Sequence, residues 1–226
     1  MTEFSSAIVM RDLGKDYKRG GDSLRILDSI NLDIRHGAFE ALMGPSGSGK
    51  STLLNVVAGL DRPTRGTIQV AGARLDPMTD AELARFRARH LGIVFQTYNL
   101  LPVLSAVENV MLPLLLFGFG RSERRRRAEA ALSLVGLEHR MKHYPAQLSG
   151  GQEQRVAIAR AIVNDPDVII ADEPTGDLDR QSADEVLELF VRLSKEMGKT
   201  ILMVTHDPQA AARAETVHHL DKGALS

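Results

Sequence analysis

Residues 39–60 read FEALMGPSGSGKSTLLNVVAGL and show three patterns in succession. The first five residues form a mostly apolar run, which is typical of a buried strand. A loop rich in glycine and serine follows, and the run LLNVVAGL after the loop has the apolar spacing of an amphipathic helix. A buried strand, a glycine-rich loop and a helix in this order predict one βα unit of an α/β fold.

The same alternation continues along the chain. Apolar runs predict buried strands at residues 39–43, 91–95, 168–171 and 200–205. Helical patterns lie between them, at residues 50–60, 81–89, 122–135, 152–163 and 182–195. Strands that alternate with helices predict an α/β fold with a largely parallel sheet. A chain of 226 residues, 43% hydrophobic and 25% charged, is large and apolar enough for such a packed core.

Each of the four predicted strands is followed by polar or glycine-rich residues suited to binding or catalysis. The first is followed by the glycine-rich loop, the second by Gln96, the third by Asp172 and Glu173, and the fourth by His206. In open α/β sheets, ligands bind beyond the carboxyl ends of the strands. We therefore expect these four segments to meet at one edge of the sheet.

The loop after the first strand matches the phosphate-loop (Walker A) pattern G-x-x-x-x-G-K-[ST]. Glycines let backbone N–H groups turn towards phosphate oxygens, and the helix that begins at Lys50 adds the positive end of its dipole. We expect Lys50 to neutralise the β- and γ-phosphates and Ser51 to hold Mg²⁺. A flexible Gly/Ser turn is the alternative. The residues predicted to bind the nucleotide here are Gly44, Pro45, Ser46, Gly47, Ser48, Gly49, Lys50, Ser51 and Thr52.

Two carboxylates and a histidine are candidates for the reaction itself. Asp172 at the end of a buried strand suits a direct or water-mediated contact with Mg²⁺, as in a Walker B pattern. Glu173 is then placed to orient and deprotonate the water that attacks the γ-phosphate. His206 is a candidate to hydrogen-bond the γ-phosphate. The alternatives are two solvated carboxylates at a helix N-terminus and a structural histidine.

The stretch LSGGQEQ at residues 148–154 opens another predicted helix. Ser149 with Gln152 three places later fits a capping box. Yet Gly150 and Gly151 fall in the first turn, and each costs about 0.5–1 kcal/mol relative to alanine inside a helix. The capping box therefore leaves the glycine pair unexplained.

Taken in order, these motifs resemble the ATP-binding subunit of an ABC transporter, over nearly the whole chain. The motifs are residues 44–51, Gln96, LSGGQ at 148–152, Asp172-Glu173, GDLD at 176–179 and His206. The segments TYNLLPVLSAVENVMLPLLL and ADEPTGDLD are most similar to those of the lipoprotein-release and macrolide-export type, with the cell-division ATPase as a near relative. The resemblance implies ATP and Mg²⁺ as cofactors and an enzyme that hydrolyses ATP.

The resemblance also implies how the chain is organised. A P-loop NTPase (RecA-like) core with a mainly parallel sheet would carry an N-terminal antiparallel β subdomain and an inserted α-helical subdomain. Residues 1–226 then form one ABC ATPase domain. Its core, with the β subdomain, spans residues 1–97 and 164–226, and the helical subdomain with the LSGGQ motif spans residues 98–163.

Members of this family form a homodimer, head to tail, when they bind ATP. The LSGGQ segment of each subunit covers the ATP held by the phosphate loop of the other. The segment would act as a second anion cradle, because a helix N-terminus attracts anions and glycine lets the backbone approach the γ-phosphate. The residues concerned are Ser149, Gly150, Gly151 and Gln152.

Further roles follow from the resemblance alone. Tyr17 lies where such proteins place the aromatic ring that stacks on adenine. Gln96 would sense Mg²⁺ and the membrane partner, and Asp179 would link the two sites across the dimer. Glu153 and Asp177 replace the commoner Gln and Asn at their positions. Their negative charges near the expected dimer face predict a lower dimer affinity.

The expected partner is a separate transmembrane permease subunit, with this chain peripheral on the cytoplasmic face of the inner (plasma) membrane. The most apolar segment, VMLPLLLFGFG at residues 110–120, is shorter than the roughly 20 residues that span a bilayer. The N-terminal residues lack the pattern of a signal peptide. We therefore expect that the chain does not cross a membrane by itself.

Two other functions are alternatives to transport. One is a soluble ABC ATPase that acts on nucleic acid or ribosomes. Such proteins usually have a long coiled-coil insertion, zinc-binding cysteines or two cassettes, and the sequence has no cysteine and neither of the other features. A net charge of -1 without a basic stripe also predicts no nucleic-acid partner. The other, a GTPase or kinase-like phosphate-loop protein, gives LSGGQ no role.

Overall fold

Two β-sheets with helices packed around them make up the computed structural model, which describes residues 6–20 and 22–225. The strands are β1 (Ser6–Arg19), β2 (Asp22–Arg35), β3 (Phe39–Met43), β4 (Arg65–Val70), β5 (Ala73–Arg74), β6 (Leu91–Val94), β7 (Val168–Asp172), β8 (Thr200–Val204), β9 (Thr216–Asp221) and β10 (Ala224–Leu225). The α-helices are α1 (Lys50–Val57), α2 (Asp80–His90), α3 (Ala106–Met111), α4 (Arg121–Leu134), α5 (Gly150–Ile162), α6 (Arg180–Lys195) and α7 (Pro208–Ala211). Single 3₁₀ turns occur at Pro113–Leu116 and Pro145–Gln147.

The larger sheet contains all four strands predicted from the sequence. Its order is β10-β9-β3-β8-β7-β6, and the five strands from β9 to β6 are parallel. Parallel strands end on the same side of a sheet, so the segments after β3, β6, β7 and β8 share one edge. The predicted α/β fold and the meeting of these segments are confirmed.

The smaller sheet is antiparallel and is ordered β2-β1-β4-β5. Its long hairpin pairs β1 with β2 from Ser6 opposite Arg35 to Arg19 opposite Asp22, with several irregularities in register. This sheet corresponds to the N-terminal antiparallel part implied by the resemblance. One hydrophobic cluster joins it to the larger sheet and to α1, and it contains Ile8, Met10, Leu27, Ile30, Leu42, Leu53 and Leu202.

The opposite face of the larger sheet is covered by α3, α4, α5 and α6. Adjacent residues of one strand face the two sides: Ala41 belongs to the helical side and Leu42 to the side of the antiparallel sheet. The helices between β6 and β7 share their hydrophobic cluster with β3, β7 and β8. Because that packing is continuous, a division at residues 98 and 163 stays a prediction. Within the described residues, none of the helices has both the length and the apolar character needed to traverse a bilayer.

Several element boundaries differ from the sequence prediction for local reasons. Helix α1 ends at Val57 rather than at residue 60, because Gly59 has a positive φ of 61°. The amides of Leu60 and Asp61 then fold back onto the carbonyl of Asn55. Strand β9 was not predicted, since its sequence TVHHLD is largely polar. One of its polar residues has a buried partner: His218 Nε2 lies 2.5 Å from the Glu40 carboxylate on β3.

Gly92 on β6 lies against the last turn of α5. A Cβ at this position would lie 2.5 Å from the carbonyl oxygen of Ala161. We expect Gly92→Ala to lower the free energy of unfolding by about 1–3 kcal/mol, because overpacking forces the backbone apart. The control is Gly118→Ala, at an exposed glycine with open space around it, which should change stability by less than about 0.5 kcal/mol. Urea denaturation of both variants measures the difference, and equal midpoints would contradict the packing argument.

Candidate functional site

The loop between β3 and α1 is held in shape by its neighbours. Gly49, the residue before the helix, has a φ of 105°, which favours glycine. A Cβ on Gly44 would lie 2.1 Å from the carbonyl oxygen of Leu220 on β9. The amide of Gly223 donates to the carbonyl of Ser48 at 3.1 Å. The glycines are therefore required by the backbone path and by the neighbouring strand.

Lys50 lies with its ammonium inside this loop. Its Nζ donates to the carbonyl oxygens of Gly44 at 2.7 Å and Pro45 at 3.0 Å, and its side chain is largely buried. The Ser48 hydroxyl is also buried and has no hydrogen-bond partner within the described part of the chain. Beside the loop is an open cleft of about 220 Å³, lined by Ile26, Gly47, Gly49, Lys50, Ser51 and Thr52. An ammonium, a helix N-terminus and hydroxyls around one cleft suit a phosphate group.

Asp172 ends β7 next to the phosphate loop. Burial raises the pKa of Asp172, the adjacent Glu173 carboxylate raises that pKa further, and Lys50 lowers it. A carboxylate in this setting is stabilised by a cation. Ser51, Gln96 and Asp172 offer oxygen atoms, which Mg²⁺ prefers.

Glu173 and His206 contact each other. His206 Nδ1 lies 2.8 Å from Glu173 Oε2, and the His206 amide donates to the same oxygen at 3.3 Å. Glu173 has a φ of 47°, which is uncommon for a residue with a side chain and is often found at functional sites. Its amide donates to the carbonyl of Val204. The candidate base is thus rigidly held, while 70% of the His206 side chain is exposed.

Gln96 lies at the same edge and reaches the loop after β7. Its Nε2 donates to Asp177 Oδ1 at 3.1 Å. The negatively charged Asp177 therefore lies beside Gln96, which is predicted to contact Mg²⁺.

Gln154 was missed by the sequence analysis, although it supports this arrangement. It is fully buried, and its Nε2 donates to the carbonyl of Pro174 at 2.6 Å and to that of Phe95 at 3.3 Å. One amide therefore connects the segment before Gln96 with the segment after Glu173. The available signal was its spacing, since Gln154 lies four and seven positions before the buried Ile158 and Ala161.

The capping box at the start of α5 is confirmed. Ser149 Oγ accepts from the amide of Gln152 at 3.3 Å, and Gln152 Oε1 accepts from the amide of Ser149 at 3.2 Å. The amides of Ser149 and Gln152 therefore have partners within the chain.

The glycine pair has a reason that the sequence did not reveal. A Cβ on Gly151 would lie 2.6 Å from the hydroxyl of Ser182 at the start of α6, and a Cβ on Gly150 would lie 2.9 Å from the hydroxyl of Tyr98. Assigning both glycines to a ligand was therefore incomplete. The packing of α5 on α6 already requires glycine at position 151.

Asp179 forms the N-cap of α6. Its Oδ1 accepts from the amide of Ser182 at 3.0 Å, and its Oδ2 accepts from the Ser182 hydroxyl at 2.7 Å. These hydrogen bonds lower the pKa of Asp179. Ser182 therefore contacts both Asp179 and Gly151, and a role of Asp179 across a dimer stays a prediction.

Tyr17 lies on β1 beside the helix that follows the phosphate loop. Its hydroxyl donates to Asp61 Oδ2 at 2.5 Å, and this hydrogen bond raises the pKa of Tyr17. The Thr52 hydroxyl opposes that shift, so it lies close to the phenol. The candidate base-stacking ring and the phosphate loop are neighbours, as the resemblance implies, and its role in stacking stays a prediction.

The chain is similar to known proteins over most of its length. The family model described as ABC transporter matches residues 27–176. The chain is 47% identical over 214 residues to the lipoprotein-releasing system ATP-binding protein LolD of Chromohalobacter salexigens, covering 95% of this chain and 90% of LolD. It is 49% identical over 220 residues to the macrolide export ATP-binding/permease protein MacB of Rhodopseudomonas palustris, covering 97% of this chain and 33% of MacB.

A solved structure resembles the whole chain. It is the dimeric, post-hydrolysis state of the ATP-binding cassette MJ0796, bound to ADP and Pi, from Methanocaldococcus jannaschii. It superimposes with a TM-score of 0.89 at 42% identity and covers 97% of this chain and 96% of MJ0796. The non-transport alternative is not favoured by these relatives. The chain therefore belongs to the ABC transporter family, as a subunit that binds and hydrolyses ATP.

Proposed function

We propose that two copies of this chain bind two ATP molecules in a head-to-tail dimer, and that hydrolysis separates them to drive a transmembrane partner. The observation that carries the proposal is that one sheet edge unites Lys50 in its loop with Asp172 and the Glu173–His206 pair. The similarity to a dimeric cassette bound to ADP and Pi supports a dimer as the working form.

Within one site the phosphate loop binds the β- and γ-phosphates, with residues 44–52 supplying amides, hydroxyls and the Lys50 ammonium. Ser51, Gln96 and Asp172 would hold Mg²⁺, which neutralises charge on the phosphates. The Gln96 amide nitrogen is engaged by Asp177, so its oxygen is the atom available to a cation. The raised pKa of Asp172 supports this assignment, since a cation relieves the repulsion from Glu173.

Glu173 accepts the proton of the attacking water, and His206 orients the carboxylate that does so. If Nδ1 of His206 donates to Glu173, then Nε2 can donate to a phosphate only in the protonated imidazole. The alternative is that the exposed His206 side chain turns from Glu173 to the γ-phosphate when ATP is bound. Its high exposure supports such a rotation.

The second half of each site comes from the start of α5 on the other copy. Ser149 and the helix N-terminus form the anion cradle. Asp179 is linked to this segment by Ser182, whose hydroxyl donates to Asp179 and lies next to Gly151. Moving a dimer equilibrium from 1:99 to 99:1 needs about 5.5 kcal/mol. Hydrogen bonds to charged groups contribute about 1.5–3 kcal/mol each, so a few contacts to the γ-phosphate suffice. Loss of that phosphate then opens the dimer.

Exposed apolar side chains support a membrane partner. Leu101 and Val103 follow Gln96 by five and seven positions and are exposed, as are Leu115 and Leu116 in the same connection between β6 and β7. We infer that these side chains contact a transmembrane permease, with the chain peripheral on the cytoplasmic face of the inner membrane. The ATP-binding/permease composition of MacB supports this pairing, and LolD and MacB point to lipoprotein release, macrolide or peptide export, or a related task.

Lys50→Ala tests the phosphate role. We expect the Kd for Mg-ATP to rise by about 10- to 100-fold, because one charged hydrogen bond or more is lost. The control is Lys142→Ala, at an exposed lysine outside the site. Isothermal titration calorimetry measures both, and an unchanged Kd in Lys50→Ala would refute the role.

Glu173→Gln tests the base. We expect ATP binding to persist, turnover to fall by about 10²- to 10⁴-fold, and an ATP-bound dimer to accumulate on size-exclusion chromatography. The control is Glu188→Gln, at an exposed position on α6. Hydrolysis by Glu173→Gln at the rate of the unmodified protein would show that another group is the base.

Gly150→Ala tests the second cradle more cleanly than a change at Gly151, which would clash with Ser182. In the Glu173→Gln background, we expect ATP binding to each monomer to be retained and the dimer dissociation constant to rise about tenfold or more. Tyr98→Phe removes the hydroxyl that the new methyl group would meet. If Tyr98→Phe restores the dimer of Gly150→Ala, the contact within the chain explains Gly150 and the cradle does not.

A further inference from the structure

A pair of charged residues behind Tyr17 is not used by the proposed reaction. Lys15 and Tyr17 lie two positions apart on β1, and both side chains reach Asp61. Asp61 lies just beyond the end of α1. Lys15 Nζ donates to Asp61 Oδ1 at 2.6 Å, and the Tyr17 hydroxyl donates to Asp61 Oδ2 at 2.5 Å.

Asp61 Oδ1 and Lys15 Nζ each have a second hydrogen-bond partner. Asp61 Oδ1 also accepts from the amide of Arg62 at 2.7 Å, and Lys15 Nζ also donates to the carbonyl of Arg62 at 2.8 Å. The Lys15 side chain is only 10% exposed, so these partners must stabilise its charge in place of water. Burial acts to raise the pKa of Asp61, but hydrogen bonds from Lys15, Tyr17 and the Arg62 amide together lower it. The carboxylate is therefore a fixed, ionised acceptor.

Lys15 also covers one face of the aromatic ring. Its Nζ lies 4.6 Å from the centroid of the Tyr17 ring, in a cation–π contact. Tyr17 remains 39% exposed. With one face taken by the ammonium, a planar base has the other face on which to stack.

Asp61 ties this ring to the phosphate loop. The amide of Asp61 donates to the carbonyl of Asn55 in α1, the helix that begins at Lys50. Strand β1 holds the backbone of Tyr17 by pairing it with Leu24 on β2. The bond to Asp61 adds a side-chain link from the ring to the helix of the phosphate loop.

We infer that Asp61 and Lys15 are positioning residues that hold Tyr17 ready to stack on the nucleotide base and so set the affinity for ATP without touching it. The inference rests on the proposed ATP site and on the stacking role that the family resemblance implies for Tyr17. A ring that is already fixed loses little freedom when the base binds. Release of the ring should therefore weaken ATP binding by about three- to tenfold.

Tyr17→Phe is the most conservative test, because it keeps the ring and removes only the bond to Asp61. Asp61→Ala removes the same bond from the other side, together with the bonds from Lys15 and the Arg62 amide. We expect each variant to raise the Kd and KM for Mg-ATP by about three- to tenfold, with kcat at saturating ATP within about twofold. Because both changes remove the bond between Tyr17 and Asp61, the double variant should lose no more ATP affinity than the larger single effect. Asp80→Asn, at a neighbouring exposed carboxylate, is the control.

Inorganic tripolyphosphate separates positioning from damage to the fold. It occupies the phosphate loop without a base, so its Kd in the two variants should equal that of the unmodified protein. Equal losses for ATP and tripolyphosphate, or a Tyr17→Phe variant with unchanged affinity for ATP, would overturn the inference. Tyr17→Ala tests the proposed stacking separately: unchanged ATP affinity in that variant refutes stacking itself, whereas a loss there without a loss in Tyr17→Phe refutes only the role of Asp61.

Discussion

The register of three parallel strands is the constraint on which the site depends. Pairing places Asp172 beside Val204 and Val204 beside Leu42, so β7, β8 and β3 end level with one another. A shift of one residue would turn every side chain to the opposite face. Two hydrophobic clusters, one on each face, prevent that shift. The phosphate loop, the carboxylates and His206 therefore start from fixed points, and their short segments need little further support to meet.

The support that they have comes from polar side chains on the surrounding helices. Helix α5 holds the segment around Gln96 at two places: Gln154 binds the carbonyl of Phe95, and Arg160 binds the carbonyls of Tyr98 and Asn99 at 2.8 and 2.6 Å. Burial lowers the pKa of Arg160, as expected for an enclosed guanidinium. The same helix carries the LSGGQ residues at its start. In the proposed function, a ligand at that end and a partner near Gln96 would act on the same helix.

Much of this was accessible before the structure, and the failures share a cause. The four core strands, the phosphate loop and the capping box were predicted because each follows from local spacing or a local motif. Strand β9 was missed because its polar residues are used by a neighbour, as His218 is by Glu40. Gln154 was missed because its hydrogen bonds go to the carbonyls of Phe95 and Pro174, which are 59 and 20 residues away in sequence. Long-range partners leave no periodic trace in a sequence.

The sequence by itself determined the order of strands and helices, the chemistry at each strand end and the family to which these motifs belong. Those properties depend on residue types at short spacing, which a sequence displays directly. Only the tertiary structure decided why Gly151 must be small, which residues hold Glu173 and Gln96, and that Asp61 and Lys15 contact Tyr17. These depend on which distant surfaces touch, because side-chain packing and hydrogen bonding act over a few ångströms in space, whatever the separation along the chain.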